Sequence, residues 1–202
     1  MKIIGLTGGI GTGKSTVSAI LGSLGAAVVD ADKVGHEALK SDAEIRQKLV
    51  SNFGSGIIGS DNEINRASLA EVVFNDPDAL ARLNGIMHPR ILSIVKQKFE
   101  EWRNQGVSVV VLEVALLIEA KWTANVDEVW VTVASEDTVI QRIGLRSGFT
   151  EEQTRARIRS QMSTEERVKQ ADVVLNTECE LSQVEAEIRI LWESLCSPEV
   201  RG

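Results

Sequence analysis

The chain is poor in the residues that carry much of metal and nucleophilic chemistry. It has two cysteines, Cys179 and Cys196, and two histidines, His36 and His88. The cysteines form no C-x-x-C pair, so they read as plain thiols in a reducing compartment, not as a disulfide framework or a metal site. The histidines are too few and too far from the cysteines for metal-ligand spacing, and no Ser-His-Asp arrangement can be assembled from them. Long apolar runs are also missing. None approaches the ~18 residues of a membrane-spanning helix. The apolar stretch near the start is short and gives way to glycines, unlike a secretory signal. A cytoplasmic protein with no membrane partner is expected. Positive charge is in deficit as well: the net charge is −7. That argues against nucleic acid or an anionic membrane as the main partner, while leaving room for a local site that binds phosphate.

The rest of the composition is that of an ordinary globular protein, 43% hydrophobic and 25% charged over 202 residues. A chain of this size is one domain or a domain with an insertion, and buries roughly 70% of its unfolded surface. Short, continuous Val/Ile/Leu runs occur at Ile3–Leu6, Ala27–Val29, Val107–Leu112, Val126–Val133 and Val173–Leu175. Continuous rather than alternating apolar residues suit strands of a parallel sheet buried on both faces. Helical periodicity lies between them, for example Val17, Ile20, Leu21 and Leu24, then Leu181, Val184, Ile188, Leu191 and Leu195. The pattern predicts an α/β fold, a five-stranded parallel sheet covered by helices on both faces.

The spacing of the strands is uneven. The stretch from Asp30 to Val107 is far longer than one βαβ unit of about 30 residues. It contains helical patterns at 43–50, 68–74, 78–86 and 89–102, the last opening on Pro89 at its favoured first position. We read 33–105 as a helical subdomain inserted beside a core of 1–32, 106–145 and 171–202. A second excursion, 146–170, is rich in Arg and Glu and reads as a lid.

Gly8-Gly9-Ile10-Gly11-Thr12-Gly13-Lys14-Ser15-Thr16 fits G-x-x-x-x-G-K-[ST] and lies between the first strand and the first helix. In that context the pattern is a P-loop. Successive backbone N–H groups curl around an anion, and the helix N-terminus adds its dipole. Lys14 is expected to reach the β- and γ-phosphates of ATP, and the Ser15 hydroxyl to hold Mg²⁺. Ligands of such sheets bind beyond the carboxyl ends of the strands. Asp32, just past the second strand, is therefore either a base for an attacking hydroxyl or the N-cap of a helix starting at Lys33. Glu113 closes the third strand, either as a second Mg²⁺ ligand or as a partly solvated strand end.

Arg142, Arg146, Arg155, Arg157, Arg159 and Arg167 are interspersed with acidic residues, which generally marks a solvated helix face. Arg142 and Arg146, four apart just before Gly148, are the candidates for lid arginines over a transferring phosphoryl group. His88, preceding Pro89, is expected to leave the helical region, as an N-cap or at the mouth of the inserted subdomain.

Taken together, these residues resemble the dephospho-CoA kinase family. The resemblance is carried by Leu6 to Val17, Asp30-Ala31-Asp32, Asn84 to Pro89, Leu116-Leu117-Ile118-Glu119, Gln141 to Arg146, Arg157 to Met162, Glu166 and Ala171 to Val174. It covers nearly the whole chain and is far more specific than the P-loop alone. It implies transfer of the ATP γ-phosphoryl group to the ribose 3′-hydroxyl of dephospho-CoA on a nucleoside-monophosphate-kinase-like core. It further implies Asp32 as general base, Thr7 beside the transferred phosphate, Arg146 as the lid arginine, Arg142 on the nucleotide, and His88 and Leu117 on the substrate side. The chain departs from the family in having Ala115 where Pro is usual, Glu113 where Asp is common, and Asn176-Thr177-Glu178 where Asn-Asn-Gly is frequent. A nucleotide kinase of the same fold is the nearest alternative activity. A nucleotide-dependent switch is a different class, but there is no N-K-x-D guanine motif.

Overall fold

The computed structural model describes residues 1–74 and 76–197. The final stretch of the expected core, 198–202, lies outside the described residues. Five strands are formed: β1 (Lys2–Gly8), β2 (Ala27–Asp30), β3 (Val109–Glu113), β4 (Glu128–Val133) and β5 (Val173–Asn176). All pair in parallel, in the order β2-β3-β1-β4-β5. The strands expected from Val107 and Val126 start two residues later, at Val109 and Glu128.

Chain contacts divide the protein into two compact units, Met1–Asp30 with Trp102–Gly202, and Ala31–Glu101. In the first, alternate β1 side chains serve opposite faces of the sheet. Ile4 and Leu6 meet Val17, Ile20 and Leu21 of α1 (Lys14–Ser23) and Val184 and Ile188 of α9 (Leu181–Cys196), in a cluster with Val109, Val111, Trp130 and Leu175. On the other face, Gly5 leaves room for Leu117 and Val126 of the β3–β4 connection. A side chain at Gly5 would collide with Leu117 Cδ2, so this connection lies directly on the strand. The connection contains a 3₁₀ turn, Trp122–Asn125. After β4 come α6 (Glu136–Ser147), α7 (Glu151–Arg159) and α8 (Thr164–Val168). Each starts on a side-chain cap, Ser135, Thr150 and Ser163 respectively, and α6 ends on left-handed Gly148.

The second unit consists of α2 (Ala31–Ser41), α3 (Ala43–Phe53), α4 (Arg66–Phe74) and most of α5 (Pro77–Asn104), with a short bridge between Ile58 and Ile64. Asp42 caps α3 through the amides of Glu44 and Ile45. Sequence predicted two helices, 78–86 and 89–102, where the structure has one. Pro89 lies inside α5. Proline removes one helical donor and crowds the carbonyl four residues back. That carbonyl belongs to Gly85, whose missing side chain leaves the turn free to adjust, and the apolar stripe Ala79, Met87, Ile91, Val95, Phe99 continues across the proline. His88 therefore does not leave the helix.

Candidate active site

β1 ends at Gly8 and α1 begins at Lys14, so the glycine run is held between the central strand and a helix N-terminus. Its shape is enforced from both sides. A Cβ on Gly8 would lie 2.3 Å from Thr132 Oγ1 and 2.7 Å from the Thr132 carbonyl oxygen. Gly13 is left-handed (φ 89°), and a Cβ there would press on Thr177 at 3.0 Å. Thr12 is buried and shares its hydroxyl with the Gly9 carbonyl and with Thr132 Oγ1. The Thr177 hydroxyl donates to the Thr12 carbonyl at 2.9 Å.

No side chain caps α1, and its first turn carries no acidic residue. The helix thus opens with amide donors toward the loop, the arrangement that suits an anion. Lys14 Nζ donates to the Gly8 and Gly9 carbonyls at 2.9 and 3.1 Å, which holds the ammonium over the loop.

At the end of β3, Glu113 accepts from Ser15 Oγ at 3.3 Å and from Ser18 Oγ at 2.6 Å. A hydroxyl and a carboxylate are hard oxygen donors, the kind Mg²⁺ takes. Mg²⁺ generally uses one or two protein oxygens and completes its shell with phosphate and water. Ser15 and Glu113 therefore fit the ion expected from the sequence.

Arg142 reaches from α6 to the Gly11 carbonyl and to Thr177, through both its hydroxyl and its carbonyl. It thereby ties α6 to the glycine loop and to the residue that follows β5. Beside it, Glu178 accepts from the Ser135 and Thr138 hydroxyls and stays ionised more readily than an ordinary Glu, first because of Ser135 and then Thr138, with Arg142 adding a smaller effect. Arg146 is exposed, with no partner among the described residues.

Asp32 and His88 belong to the second compact unit. The helix after β2 starts at Ala31, so Asp32 is an exposed residue of its first turn rather than the N-cap of a helix starting at Lys33. His88 is half-buried, and desolvation holds its imidazolium below the ordinary 6.5. Thr7 is fully buried and its hydroxyl donates to the Ala115 carbonyl, tying β1 to the turn after β3. Leu117 is fully buried against Gly5 and presents no surface to a substrate.

The structure also adds residues that the sequence did not single out. Arg167, grouped with a solvated face, is buried, its side chain only 3% exposed, and pairs with Glu119 at 2.7 Å. Gln161 accepts the Ile10 amide of the glycine loop at 2.9 Å.

Comparison with known proteins adds the remaining observation. Residues 2–183 match the family model for dephospho-CoA kinase. The chain belongs to the dephospho-CoA kinase family. The dephospho-CoA kinase of Carboxydothermus hydrogenoformans is 42% identical over 93% of this chain and 91% of its own length. That of Dehalococcoides mccartyi is 40% identical over 95% and 96%. Among solved structures, a Thermus thermophilus protein superposes with a TM-score of 0.84 at 31% identity, covering 97% of this chain and 98% of its own. The dephospho-CoA kinase of Campylobacter jejuni superposes at 0.71 with 28% identity, covering 96% and 98%. The fold extends to shikimate kinase of Acinetobacter baumannii, at a TM-score of 0.53 and 13% identity. As members of a P-loop kinase family, such chains use ATP as the nucleotide substrate.

Proposed function

We propose that this chain transfers the γ-phosphoryl group of ATP to the ribose 3′-hydroxyl of dephospho-CoA, giving CoA and ADP. The family match over residues 2–183 carries the proposal, and the formed glycine loop supports it. The loop amides and Lys14 neutralise charge on the ATP phosphates. Ser15 and Glu113 hold Mg²⁺, which when bound adds positive charge at the phosphate oxygens. Asp32 accepts the proton of the acceptor hydroxyl as it attacks. Arg146, a cation without a partner among the described residues, meets charge developing on the phosphoryl group, and the 146–170 segment acts as the lid that keeps water from competing. The helical segment 33–105, with His88, takes the acceptor. We place the reaction in the cytoplasm. Among the described residues no helix is long and apolar enough to cross a membrane.

The test is ADP release from MgATP with and without dephospho-CoA, with AMP, adenosine, uridine and shikimate as rival acceptors. Release that requires dephospho-CoA and yields CoA is the expected result. Release with another acceptor would keep the fold and discard the substrate, and release with none would point to a switch-like ATPase. Asp32→Asn is expected to keep ATP binding and lose about 100-fold or more in turnover, the usual contribution of a general base.

A further inference from the structure

The outer limb of the glycine loop, Gly9–Ile10, is touched by a side chain of the Arg157–Met162 segment, to which the sequence pattern assigns no role of its own. Ile10 N–H donates to Gln161 Oε1 at 2.9 Å. A backbone N–H can only donate, so the carboxamide oxygen must face the loop and the orientation of the amide is fixed by chemistry. The two N–H donors of Gln161 then lie on the other side of the group, and none has a partner among the described residues. The same limb holds Lys14: its ammonium sits on the Gly8 and Gly9 carbonyls, and Gln161 Oε1 lies 3.6 Å from where a Cβ of Gly9 would be.

The glutamine sits in a segment that is hydrogen-bonded on both sides. Its own N–H closes the last turn of α7 on the Ile158 carbonyl, and the Met162 carbonyl that follows accepts from Arg167 Nη1 at 2.9 Å. Arg167 Nη2 in turn is anchored on Glu119 at 2.7 Å. The guanidinium Nε and the second Glu119 oxygen are buried without partners. A protein tolerates such orphans where a polar site is held in readiness.

We propose that Gln161 is a phosphate-contacting residue of this kinase. Its oxygen fixes the Ile10 amide while its N–H donors meet the terminal phosphoryl group of ATP, and Arg167 and Glu119 are the positioning residues that aim it. This rests on the glycine loop being the ATP site of the proposed reaction. The Gln161 donors then act on the γ-phosphoryl, which ATP has and ADP lacks.

The experiment compares wild type with Gln161→Glu and Gln161→Met. Gln161→Glu keeps an acceptor for Ile10 N–H but loses both donors. Expected are an unchanged Tm, ADP affinity within about 2-fold, an affinity for a non-hydrolysable ATP analogue lowered about 10-fold or more, and kcat lowered about 100-fold, the scale of a lost transition-state donor. Gln161→Met is expected to share the kcat loss. Arg167→Met should show the same ATP-selective loss and add little in the Gln161→Met background, the signature of residues acting as one unit. In wild-type protein, the side-chain NH₂ resonances of Gln161 should shift with the ATP analogue and not with ADP. Equal weakening of ADP and ATP analogue, unchanged kcat in both variants, or NH₂ resonances that ignore the terminal phosphate would each overturn the proposal. Wild-type turnover with and without dephospho-CoA, run alongside, reports separately on the choice of acceptor.

Discussion

The glycines of the loop are not equivalent, and a single methyl group separates them. At Gly8 an added Cβ meets a backbone oxygen and a buried hydroxyl well inside contact distance, whereas at Gly9 its nearest neighbours lie at 3.5 to 3.6 Å. Gly8→Ala is therefore expected to cost about 1–3 kcal/mol, the range for overpacking a well-filled site, and to weaken ATP binding. Gly9→Ala should fold with nearly wild-type stability. Urea unfolding and ATP titration of the two variants check this. His88 gives a pH signature. Desolvation lowers its pKa in the folded protein, so the unfolded chain takes up the proton first. Stability is then flat above about pH 6.5 and falls below it, until the folded pKa is reached. His88→Gln should remove that part of the decline between pH 7.5 and 5.5 in thermal melts, and a decline of the same size in the variant would assign it to other groups.

At the level of elements, Asp42 shows how one residue serves a helix and an ion pair together. Burial pushes its carboxyl up, but the Arg90 guanidinium and the amides of Ile45 and Glu44 outweigh this and leave it below the ordinary 3.8. The resulting stabilisation is present above that pH and is lost on acidification. Asp42→Asn keeps a competent cap and gives up the ion pair to Arg90, which is partly exposed, so a cost under about 1 kcal/mol is expected. Asp42→Ala loses the cap as well and should cost about 1 kcal/mol more in denaturant unfolding. The strands and most helices were legible because they rest on local periodicity, and the glycine loop because its pattern is contiguous. Pro89 misled because the rule that proline ends a helix ignores a glycine four residues earlier and an apolar stripe that continues across the break. Arg167 misled because mixed charge on a short helix looks solvated until Glu119, from the far side of β4 in sequence, is brought beside it.

For the whole molecule, what the sequence did not display is the order of the strands. β1 pairs with β3 and β4, and the chain's second strand ends up at the edge. Nothing in the apolar runs distinguishes this order from others, because all five are similarly apolar in sequence; only the fold separates them, with the edge strands β2 and β5 burying one residue each and exposing Val28 and Val174. The residues that shape the phosphate loop suffer from the same distance. Thr132 in β4, Gln161 between α7 and α8, and Thr177 just past β5 all follow β3 in the chain, and no local pattern ties them to residues 8–13.

That dependence has a consequence for synthesis. The glycine motif leaves the ribosome long before Thr177, whose hydroxyl seats Thr12 and backs Gly13. A stalled nascent chain ending at Gln170 carries the entire motif and should fail to retain ATP on an affinity resin. One extended through α9 and clear of the exit tunnel should retain it. The glycine motif is made before the residue that seats it, so a chain stopped short of Thr177 is expected not to sequester ATP.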